Sequence, residues 1–534
     1  MNEPTTPASV LRDSAMQPEP EREIMEPKPV GEAVMHVLCL ALEGWRLAKP
    51  HGPQYMAHAF LEFLALARAL GAAPRLLPDS ALTGCAEHAE DSGRLMQPCD
   101  ALALTDRLVT GPVAVGGLSL AQGLAVGARL IGLDLCVFIQ AAATVEELVL
   151  QQPPAAAAWR GRNISSTPPP YHLLMYAWGH SPSGKSKRQS LEKLEMSGLF
   201  SRLGCGNRIK NISRSKLYHS ELQPEPKGPC AVEPKQLEPP PELISLLLVY
   251  DPDKRGQHGG SKLANCLLVA EAGSGAGLCG RRGLFATLQR YHVSARPHQG
   301  LTAIKPELAF VMSNLAGLTD ASPLILDPFA GTGSLLLPAS HLGFYPCGAD
   351  IELGATDVII GKKQGGRGDG APGSGVAANF KHLGLTPPEL IQGNIFTPAW
   401  ASRRAGVFDA IVADPPYGLR TSGGTFRQVD MADGLRYLGD FTGHQMLEMV
   451  KKIVTPLLQL AAQVLKPGGR LVYLFPTFSS QAGTVYWDAT AFGGAVQLEA
   501  SDLPAMTGLR FESSSHEPCV SRTIARNVVV MVKE

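Results

Sequence analysis

The sequence contains neither a cysteine pattern typical of a zinc site nor one typical of a disulfide scaffold. Its ten cysteines include no Cys-x-x-Cys pair, and spacings such as Cys85 to Cys99 or Cys266 to Cys279 match neither framework. Scattered cysteines of this kind are typical of reduced thiols in an intracellular protein. We therefore expect that this chain holds no metal.

The sequence also lacks a segment typical of secretion or of membrane insertion. The first residues are rich in proline and glutamate and contain no apolar core of a signal peptide. The most apolar stretch, 130–143, is too short to cross a bilayer and includes Asp134. The formal net charge is zero, so the chain as a whole is not an obvious polyanion binder. We expect a soluble protein of the cytoplasm or nucleus that makes no membrane contact, and of these two compartments we favour the cytoplasm.

Length and composition predict several domains connected by long loops. The chain has 534 residues, and its 43 prolines and 56 glycines exceed the usual share. Residues 1–32 are predicted to be a disordered tail. Residues 33–300 form a predicted N-terminal region with its own insertions, and residues 301–534 form a more regular C-terminal domain.

The N-terminal region is predicted to mix helices and strands. A helix is expected over 57–72, ending at Gly71, and a short helix capped by Thr144 is expected over 144–151. The stretch 129–142 is predicted to be a strand or a buried helix. Two further strands are expected over 242–251 and 263–272.

A local excess of positive charge occupies residues 160–240. This window contains 13 lysines and arginines against 6 glutamates and no aspartate, inside a chain that is neutral overall. Two interpretations stay open from the sequence. The window is either a solvated linker flanked by proline-rich pieces or a surface that faces nucleic acid.

From about residue 300 onward, predicted strands and helices alternate. The strands cover 323–329, 345–351, 408–416 and 470–476, and the helices cover 308–318, 334–343, 377–385 and 446–465. This alternation indicates an α/β fold, with a mostly parallel, doubly wound sheet and helices on both faces. The glycine-rich stretch 361–375 is predicted to be a disordered loop within it.

The segment DPFAGTGS (327–334) joins the first of these strands to its helix. Gly331 and Gly333 let a ligand approach the backbone closely, and the loop ends at a helix N-terminus. Asp350 ends the next strand, where doubly wound sheets place an acid that accepts hydrogen bonds from ribose hydroxyls. This edge of the sheet is therefore predicted to bind a nucleoside-containing cofactor.

The loop differs from those that bind dinucleotides and triphosphates. The third glycine of G-x-G-x-x-G is missing after Gly333, and no P-loop motif is present. Asp327 precedes the glycines, and its carboxylate would repel a pyrophosphate but suits a cation. S-adenosyl-L-methionine carries a sulfonium and an ammonium but no phosphate, so it is the predicted cofactor. Phe329 is a further predicted contact, and Asn394 is either a contact to the adenine amino group or an ordinary turn residue.

The segment ADPPY (413–417) ends a continuous apolar strand at the same edge of the sheet. Pro415 and Pro416 fix φ and have no N–H, so the turn is stiff and leaves its carbonyls available as acceptors. Asp414 and one such carbonyl can accept both hydrogens of a planar exocyclic amine, while Tyr417 stacks on the base that carries it. This arrangement would expose the nitrogen lone pair to a methyl group through positioning and electrostatics.

The motifs DPFAGTGS, GADI and ADPPYG together resemble those of class I, Rossmann-like amino-methyltransferases. Three further segments are similar to the catalytic subunit of the tRNA guanine-10 N2-methyltransferase family. They are TAIKPELAFVMSNLAGL, ANFKHLGL and the tail LPAMTGLRFESSSHEPCVSRTIARNVVVM. The resemblance covers about 300–534 well and 35–300 faintly. It implies S-adenosyl-L-methionine as cofactor and a target guanine held by the DPPY turn, flipped out of its stack.

The same resemblance carries implications for the N-terminal region and for partners. It implies a ferredoxin-like piece and a THUMP domain that binds the acceptor end of tRNA, with the basic window 160–240 in or beside it. It also implies a small zinc-binding activator subunit that docks on the methyltransferase sheet and shields apolar surface. This chain departs from the family pattern at 361–375, where the glycine-rich run interrupts the expected helix.

Three alternatives stay open or are disfavoured. DPPY motifs also occur in enzymes that methylate rRNA guanine N2, DNA adenine N6 or glutamine amides, and a non-catalytic tRNA-binding subunit could keep the same fold. The intact Asp350 and Asp414 argue against the non-catalytic alternative. A nicotinamide dehydrogenase is disfavoured by the missing third glycine and by Asp327.

Overall fold

In the residues that it describes, the computed structural model contains two β-sheets, each flanked by helices. It describes residues 33–40, 56–83, 93–131, 133–160, 167–178, 183–209, 242–255, 261–271, 288, 290–299, 304–319, 323–351, 375–398, 406–416, 443–478, 498–521 and 524–534. Strands within residues 33–271 form the first sheet, and strands within residues 324–533 form the second. The glycine loop and the DPPY turn both belong to the second sheet.

The first sheet is mixed and has eight described strands. They are β1 (Ala33–Leu40), β2 (Arg75–Leu76), β3 (Arg94–Leu95), β4 (Val113–Ser119), β5 (Leu133–Ala142), β6 (Tyr171–Trp178), β7 (Glu242–Arg255) and β8 (Ser261–Glu271). Their order is β3-β2-β4-β1-β5-β8-β7-β6, and all described pairs are antiparallel except β6 with β7.

The helices that accompany this sheet make the N-terminal region an α+β structure. They are α1 (Met56–Ala69), α2 (Ala101–Thr110), α3 (Leu120–Arg129), α4 (Val145–Leu150), α5 (Ala156–Arg160), α6 (Gly184–Met196) and α7 (Leu199–Arg202). Thr144 caps α4 as expected, because its side chain accepts the N–H of Glu147 at 3.2 Å. The stretch 129–142, which the sequence left undecided, forms the strand β5 after the end of α3.

The second sheet has the Rossmann-like architecture that the alternating pattern predicted. Its described strands are β9 (Leu324–Asp327), β10 (Tyr345–Asp350), β11 (Glu389–Gln392), β12 (Phe408–Ala413), β13 (Leu465–Phe478), β14 (Leu509–Ser521) and β15 (Ile524–Lys533). Their order is β11-β10-β9-β12-β13-β15-β14, in which the first five strands are parallel to one another, β15 is antiparallel to β13, and β14 is antiparallel to β15. The prediction of a mostly parallel, doubly wound sheet is confirmed.

Helices cover both faces of the second sheet. They are α8 (Pro306–Leu315), α9 (Leu336–His341), α10 (Val376–Leu383) and α11 (Gly443–Val464). Ile325 of β9 packs in the same core as α8, α9 and α10, whereas its neighbour Leu326 packs in the core under α11. On β12, Val412 packs in the first of these cores and its neighbour Ile411 packs in the core under α11. Because both faces are buried, the central strands are continuously apolar, which explains why the sequence pattern was clear.

Helix α1 is buried between the first sheet and the second. Phe60 and Phe63 are fully buried in the core that also contains α8. Glu62 is 0% exposed, and its carboxylate accepts hydrogen bonds from the N–H of Ile131 at 3.0 Å and from Nδ2 of Asn314 at 2.7 Å. A helix that is apolar on nearly all sides is typical of such an interior position. The N-terminal region therefore packs directly on the second sheet.

The basic window is folded where the structure describes it. Strand β6 and helices α6 and α7 lie within it, and β6 pairs in parallel with β7 along its whole length. The linker interpretation is therefore wrong for residues 167–178 and 183–209. The sequence pattern missed α6 because the helix is mostly polar, with Leu191 and Leu194 among its few apolar contacts.

Several predictions concern residues outside those described. The tail 1–32 and most of the glycine-rich stretch 361–375 are among them. Elsewhere the observed ends of the helices and strands differ from the predicted ends by a few residues. The helix expected over 334–343 spans Leu336–His341, because the residues before it form the turn of the glycine loop. Among the described residues, none of the helices has the length and apolar character needed to cross a membrane.

Candidate functional site

The carboxyl ends of three neighbouring parallel strands bring three acidic residues together. Asp327 ends β9, Asp350 ends β10, and Asp414 follows β12. In the strand register, Asp327 pairs with Gly348, so Asp350 lies two residues farther along the adjacent strand. On the other side, Ile411 pairs with Leu326, and Asp414 again lies beyond the end of β9. The two outer acids therefore flank Asp327 at the point where open α/β sheets bind ligands.

The glycine loop turns sharply after β9 and is held by β10. Gly331 and Gly333 adopt φ values of +50° and +77°, which favour glycine. The N–H of Gly331 donates to Oδ2 of Asp350 at 2.9 Å, and the N–H of Ala330 donates to the carbonyl of Ala349 at 2.8 Å. The loop and the acid that the sequence singled out separately are thus one hydrogen-bonded unit.

A side chain at position 333 would collide with α10. A Cβ built on Gly333 would lie 2.7 Å from Cγ1 of Val376 and 3.2 Å from Cε2 of Phe380. The glycine therefore serves close packing against a helix as well as the turn conformation. The side chains of α10 therefore pack against the glycine loop and restrict its conformation.

Asp327 lies at the centre of the acidic group and is almost fully buried, at 1% exposure. Its Oδ1 accepts the N–H of Phe329 at 2.9 Å, which closes the turn and opposes protonation. Burial nevertheless raises the pKa of Asp327 well above its usual range, and the neighbouring Asp350 and Asp414 raise it further. A cation placed among these three groups would relieve their repulsion. The donor set therefore fits a positively charged ligand and disfavours a phosphate.

The DPPY turn begins at this same edge. Asp414 is half-buried, Pro415 is buried and Pro416 is half-buried, directly after the fully buried Ala413. A carboxylate held by a stiff, partly dry turn is a good acceptor for a planar amine. Tyr417, the predicted stacking residue, lies outside the described residues.

Asn394 and Phe329 have more structural contacts than the sequence suggested. Oδ1 of Asn394 accepts the N–H of Phe396 at 3.0 Å, so this atom already stabilises a turn after β11. Phe329 is half-buried and packs against the core under α11. Both stand near the acidic group in the chain topology, at the ends of β11 and β9 respectively.

Sequence reasoning missed two residues that contact the glycine loop, Arg296 and Asn379, and a third, His298, that is bound to Asn379. Nη1 of Arg296 donates to Oγ of Ser334 at 2.8 Å. Asn379 of α10 accepts the N–H of His298 at 2.9 Å and donates to its carbonyl at 2.9 Å. Arg296 and His298 lie in a proline-containing stretch outside every predicted element, so no periodic signal marked them.

Comparison with known proteins supports the resemblance seen in the motifs. Residues 294–352 match a family model described as RMKL-like, methyltransferase domain. The curated tRNA (guanine(10)-N(2))-methyltransferase of Dictyostelium discoideum is 36% identical over 254 residues, which cover 46% of this chain and 43% of that protein. The Mus musculus protein of the same name is 33% identical over 205 residues, covering 36% of this chain and 42% of that protein. The match thus spans less than half the length of these relatives.

Solved structures give a broader likeness. TrmN from Thermus thermophilus aligns with a TM-score of 0.38 and 13% identity, covering 94% of this chain and 100% of that one. A putative methyltransferase, SMU.472, complexed with SAH, aligns with a TM-score of 0.35 and 10% identity, covering 94% and 98%. At these scores the fold assignment depends on the strand order of the second sheet.

Proposed function

We propose that this protein transfers a methyl group from S-adenosyl-L-methionine to the exocyclic N2 amine of a guanosine in tRNA, at position 10. The observation that carries the proposal is the convergence of Asp327, Asp350 and Asp414 around the glycine loop, with a raised pKa at the central acid. The substrate is supported by the names of the relatives, which are tRNA (guanine(10)-N(2))-methyltransferases.

The chain's residues suit the two ends of the cofactor differently. Asp350 already accepts one N–H from the loop, and a carboxylate has enough lone pairs to accept ribose hydroxyls as well. Asp327 offers negative charge to the ammonium and sulfonium groups, and Gly331 and Gly333 allow close approach. Phe329 and Asn394 complete the proposed contacts, with Asn394 toward the adenine. When bound, the cofactor supplies an electrophilic methyl group.

The DPPY turn holds the acceptor in this proposal. Asp414 and a carbonyl of the turn accept the hydrogens of the guanine amine, and Tyr417 stacks on the flipped base. Pro415 and Pro416 keep the acceptors in place, so that no reorganisation is needed when the amine attacks. The partial burial of Asp414 strengthens these hydrogen bonds, because less water competes for the carboxylate.

The N-terminal region is the proposed tRNA-binding part. We propose that residues 33–300 contain the ferredoxin-like and THUMP-like region and that residues 301–534 form the catalytic domain. Lys185 and Arg188 are exposed on α6, within the basic window, where they can contact phosphates. Because α1 fixes this region on the second sheet, bound tRNA would be held at a set distance from the DPPY turn.

A small zinc-binding activator is the proposed protein partner. Its binding surface on the methyltransferase sheet would be β11, the edge strand of the described second sheet. Ile391 on β11 is 39% exposed, and Ile351 and Phe396 nearby are 51% and 44% exposed. An edge strand with exposed apolar side chains is suited to pairing with another chain. We further propose a cytoplasmic location, which the free thiols of Cys99, Cys136 and Cys205 support.

Nucleoside analysis of modified tRNA tests the proposal. The chain is incubated with methyl-labelled S-adenosyl-L-methionine and unmodified tRNA, with and without the activator, and the digested nucleosides are separated by mass spectrometry. Labelled N2-methylguanosine is expected from this tRNA and not from a tRNA that carries adenosine at position 10. Label in adenosine would point to another amino-methyltransferase, and absence of label with both partners present would point to a non-catalytic subunit.

An Asp414→Ala variant provides the matched control for that assay. It should lower the methylation rate by at least about 100-fold, since an acceptor aimed at the reacting amine is removed. Affinity for S-adenosylhomocysteine should stay within about threefold of the parent, because Asp414 is assigned to the substrate. Retained turnover would remove Asp414 from the reaction.

A further inference from the structure

Arg296 is a buried cation beneath the glycine loop. It is 4% exposed, and its Nε and Nη2 both donate to the carbonyl of Tyr291, at 2.9 and 2.7 Å. Nη1 points to the loop and donates to Oγ of Ser334 at 2.8 Å. Burial lowers the pKa of Arg296 to about 10, which leaves the guanidinium charged at neutral pH. One end of the side chain is therefore anchored in its own segment and the other holds the loop.

Stability alone does not account for a charge in this position. Removing a cation from water costs several kcal/mol unless a good partner offsets the loss. No carboxylate of the described residues forms an ion pair with Arg296, and its hydrogen bonds go to a carbonyl and a hydroxyl. Burial of Arg296 is costly, and its hydrogen bonds go to the Tyr291 carbonyl and to the Ser334 hydroxyl of the glycine loop. We therefore expect that Arg296 stabilises the conformation of this loop.

A second contact ties the same segment to the loop from the other side. Asn379, 0% exposed in α10, binds both the N–H and the carbonyl of His298 at 2.9 Å. Its Nδ2 also lies 3.5 Å from the carbonyl of Thr332, the residue between the two glycines. The segment 291–299 thus runs under the loop and is bound to it at Ser334 and, through Asn379, near Thr332.

Ser334 connects Arg296 to the glycine loop, because it accepts a hydrogen bond from Arg296 and contacts Thr332. It is 7% exposed and follows Gly333, whose Cα packs so closely on α10 that no Cβ fits. Thr332 Oγ1 lies 3.2 Å from Ser334 Oγ, so the two hydroxyls and the guanidinium form a continuous chain of hydrogen bonds. Any shift of Ser334 would move the turn that sets Gly331 beside Asp350.

We propose that Arg296 is a positioning residue that acts through Ser334 to hold the cofactor loop in its binding conformation. The inference rests on the proposed function, since it assumes that this loop binds S-adenosyl-L-methionine. A loop fixed in advance loses less conformational entropy when the ligand binds. Arg296 thus raises cofactor affinity without touching the cofactor.

A double-mutant cycle on the full chain tests the route through Ser334. Arg296→Lys keeps the charge but loses the forked contact, and Ser334→Ala removes the hydroxyl that accepts from Arg296 and contacts Thr332. S-adenosylhomocysteine affinity is measured by titration calorimetry, together with the melting temperature of each unliganded variant. Each single change should weaken binding about tenfold, and the double variant should lose little more than either single change, because both remove the shared contact between Nη1 of Arg296 and Oγ of Ser334. Arg290→Gln, an exposed arginine of the same stretch, is the matched control and should bind as the parent does.

The possible results separate this inference from the proposed function. Additive losses in the double variant would overturn the route through Ser334. Unchanged affinity in Arg296→Lys and Ser334→Ala, even with a lower melting temperature, would reduce the contact to a structural one and overturn the inference alone. Failure of the unaltered chain to bind S-adenosylhomocysteine would overturn the proposed function and this inference with it. Ser334→Ala is a small change, so the test stands even if the arginine variant folds poorly.

Discussion

Oδ2 of Asp350 accepts a hydrogen bond from the backbone N–H of Gly331 at 2.9 Å. The acid at the end of one strand thereby shapes the loop after the neighbouring strand. Nineteen residues separate the two partners in the sequence, and parallel pairing of β9 with β10 brings them together. One side chain can then serve both the loop and a ligand that the loop receives.

Removal of this acid should weaken cofactor binding. Asp350→Ala loses both the loop contact and the proposed ribose contacts, each a charge-assisted hydrogen bond of about 1.5–3 kcal/mol. We expect S-adenosylhomocysteine affinity to fall by about 10- to 100-fold in calorimetry. Asp350→Asn keeps an acceptor for Gly331 and should fall between the parent and the alanine variant. Equal affinity in all three proteins would exclude Asp350 from the site.

The raised pKa of Asp327 predicts a pH dependence of stability in the absence of ligand. Because the folded-state pKa lies above the unfolded value of about 3.9, the folded protein binds this proton more tightly. This contribution to stability is present below the unfolded value and is lost as the pH rises through the folded value. The melting temperature of the parent should therefore fall with rising pH above about 4 relative to that of Asp327→Asn.

The same variant should separate stability from binding. Asp327→Asn removes the buried charge and should be less sensitive to alkaline pH, yet it should bind S-adenosylhomocysteine more weakly because the ammonium loses its partner. Asp79→Asn, in an exposed ion pair with Arg107, is the matched control and should reproduce the parent curve. A parallel pH profile for the parent and Asp327→Asn would contradict the assignment.

Glu62 should be important for the attachment of the N-terminal region. It is fully buried and binds Ile131 and Asn314, so Glu62→Ala removes the carboxylate acceptor of the Ile131 N–H and of one N–H of Asn314, whose Nδ2 still donates to the carbonyl of Arg129. We expect a loss of about 3 kcal/mol in the free energy of unfolding by urea. Glu146→Ala breaks only an exposed pair with Lys193 and should cost less than about 1 kcal/mol. Similar losses in the two variants would show that the buried contact does not stabilise the interface.

The exposed cations of α6 should contribute to tRNA affinity through phosphate contacts. The double change Lys185→Glu and Arg188→Glu should weaken tRNA binding and lower the slope of log affinity against log salt by about one for each lost contact. The control pair Lys452→Glu and Arg510→Glu makes the same charge change on exposed positions of the second sheet's elements. An equal effect of both pairs would indicate non-specific attraction rather than a binding face.

The sequence by itself determined the architecture of the second sheet, because its buried strands are continuous apolar runs separated by amphipathic helices. It also determined which acids end the strands, since Asp327, Asp350 and Asp414 each follow such a run directly. It did not reveal α6, whose polar surface hides the helical period, and it left β5 undecided between strand and helix.

Tertiary structure alone decided how these pieces act together. The contact between Asp350 and Gly331, the effect of two flanking acids on the pKa of Asp327, and the support of Ser334 by Arg296 all join residues from different elements. Periodicity reports only which face of an element is apolar. Which side chains meet across elements depends on strand order, register and packing, and these become defined only when the whole chain is folded.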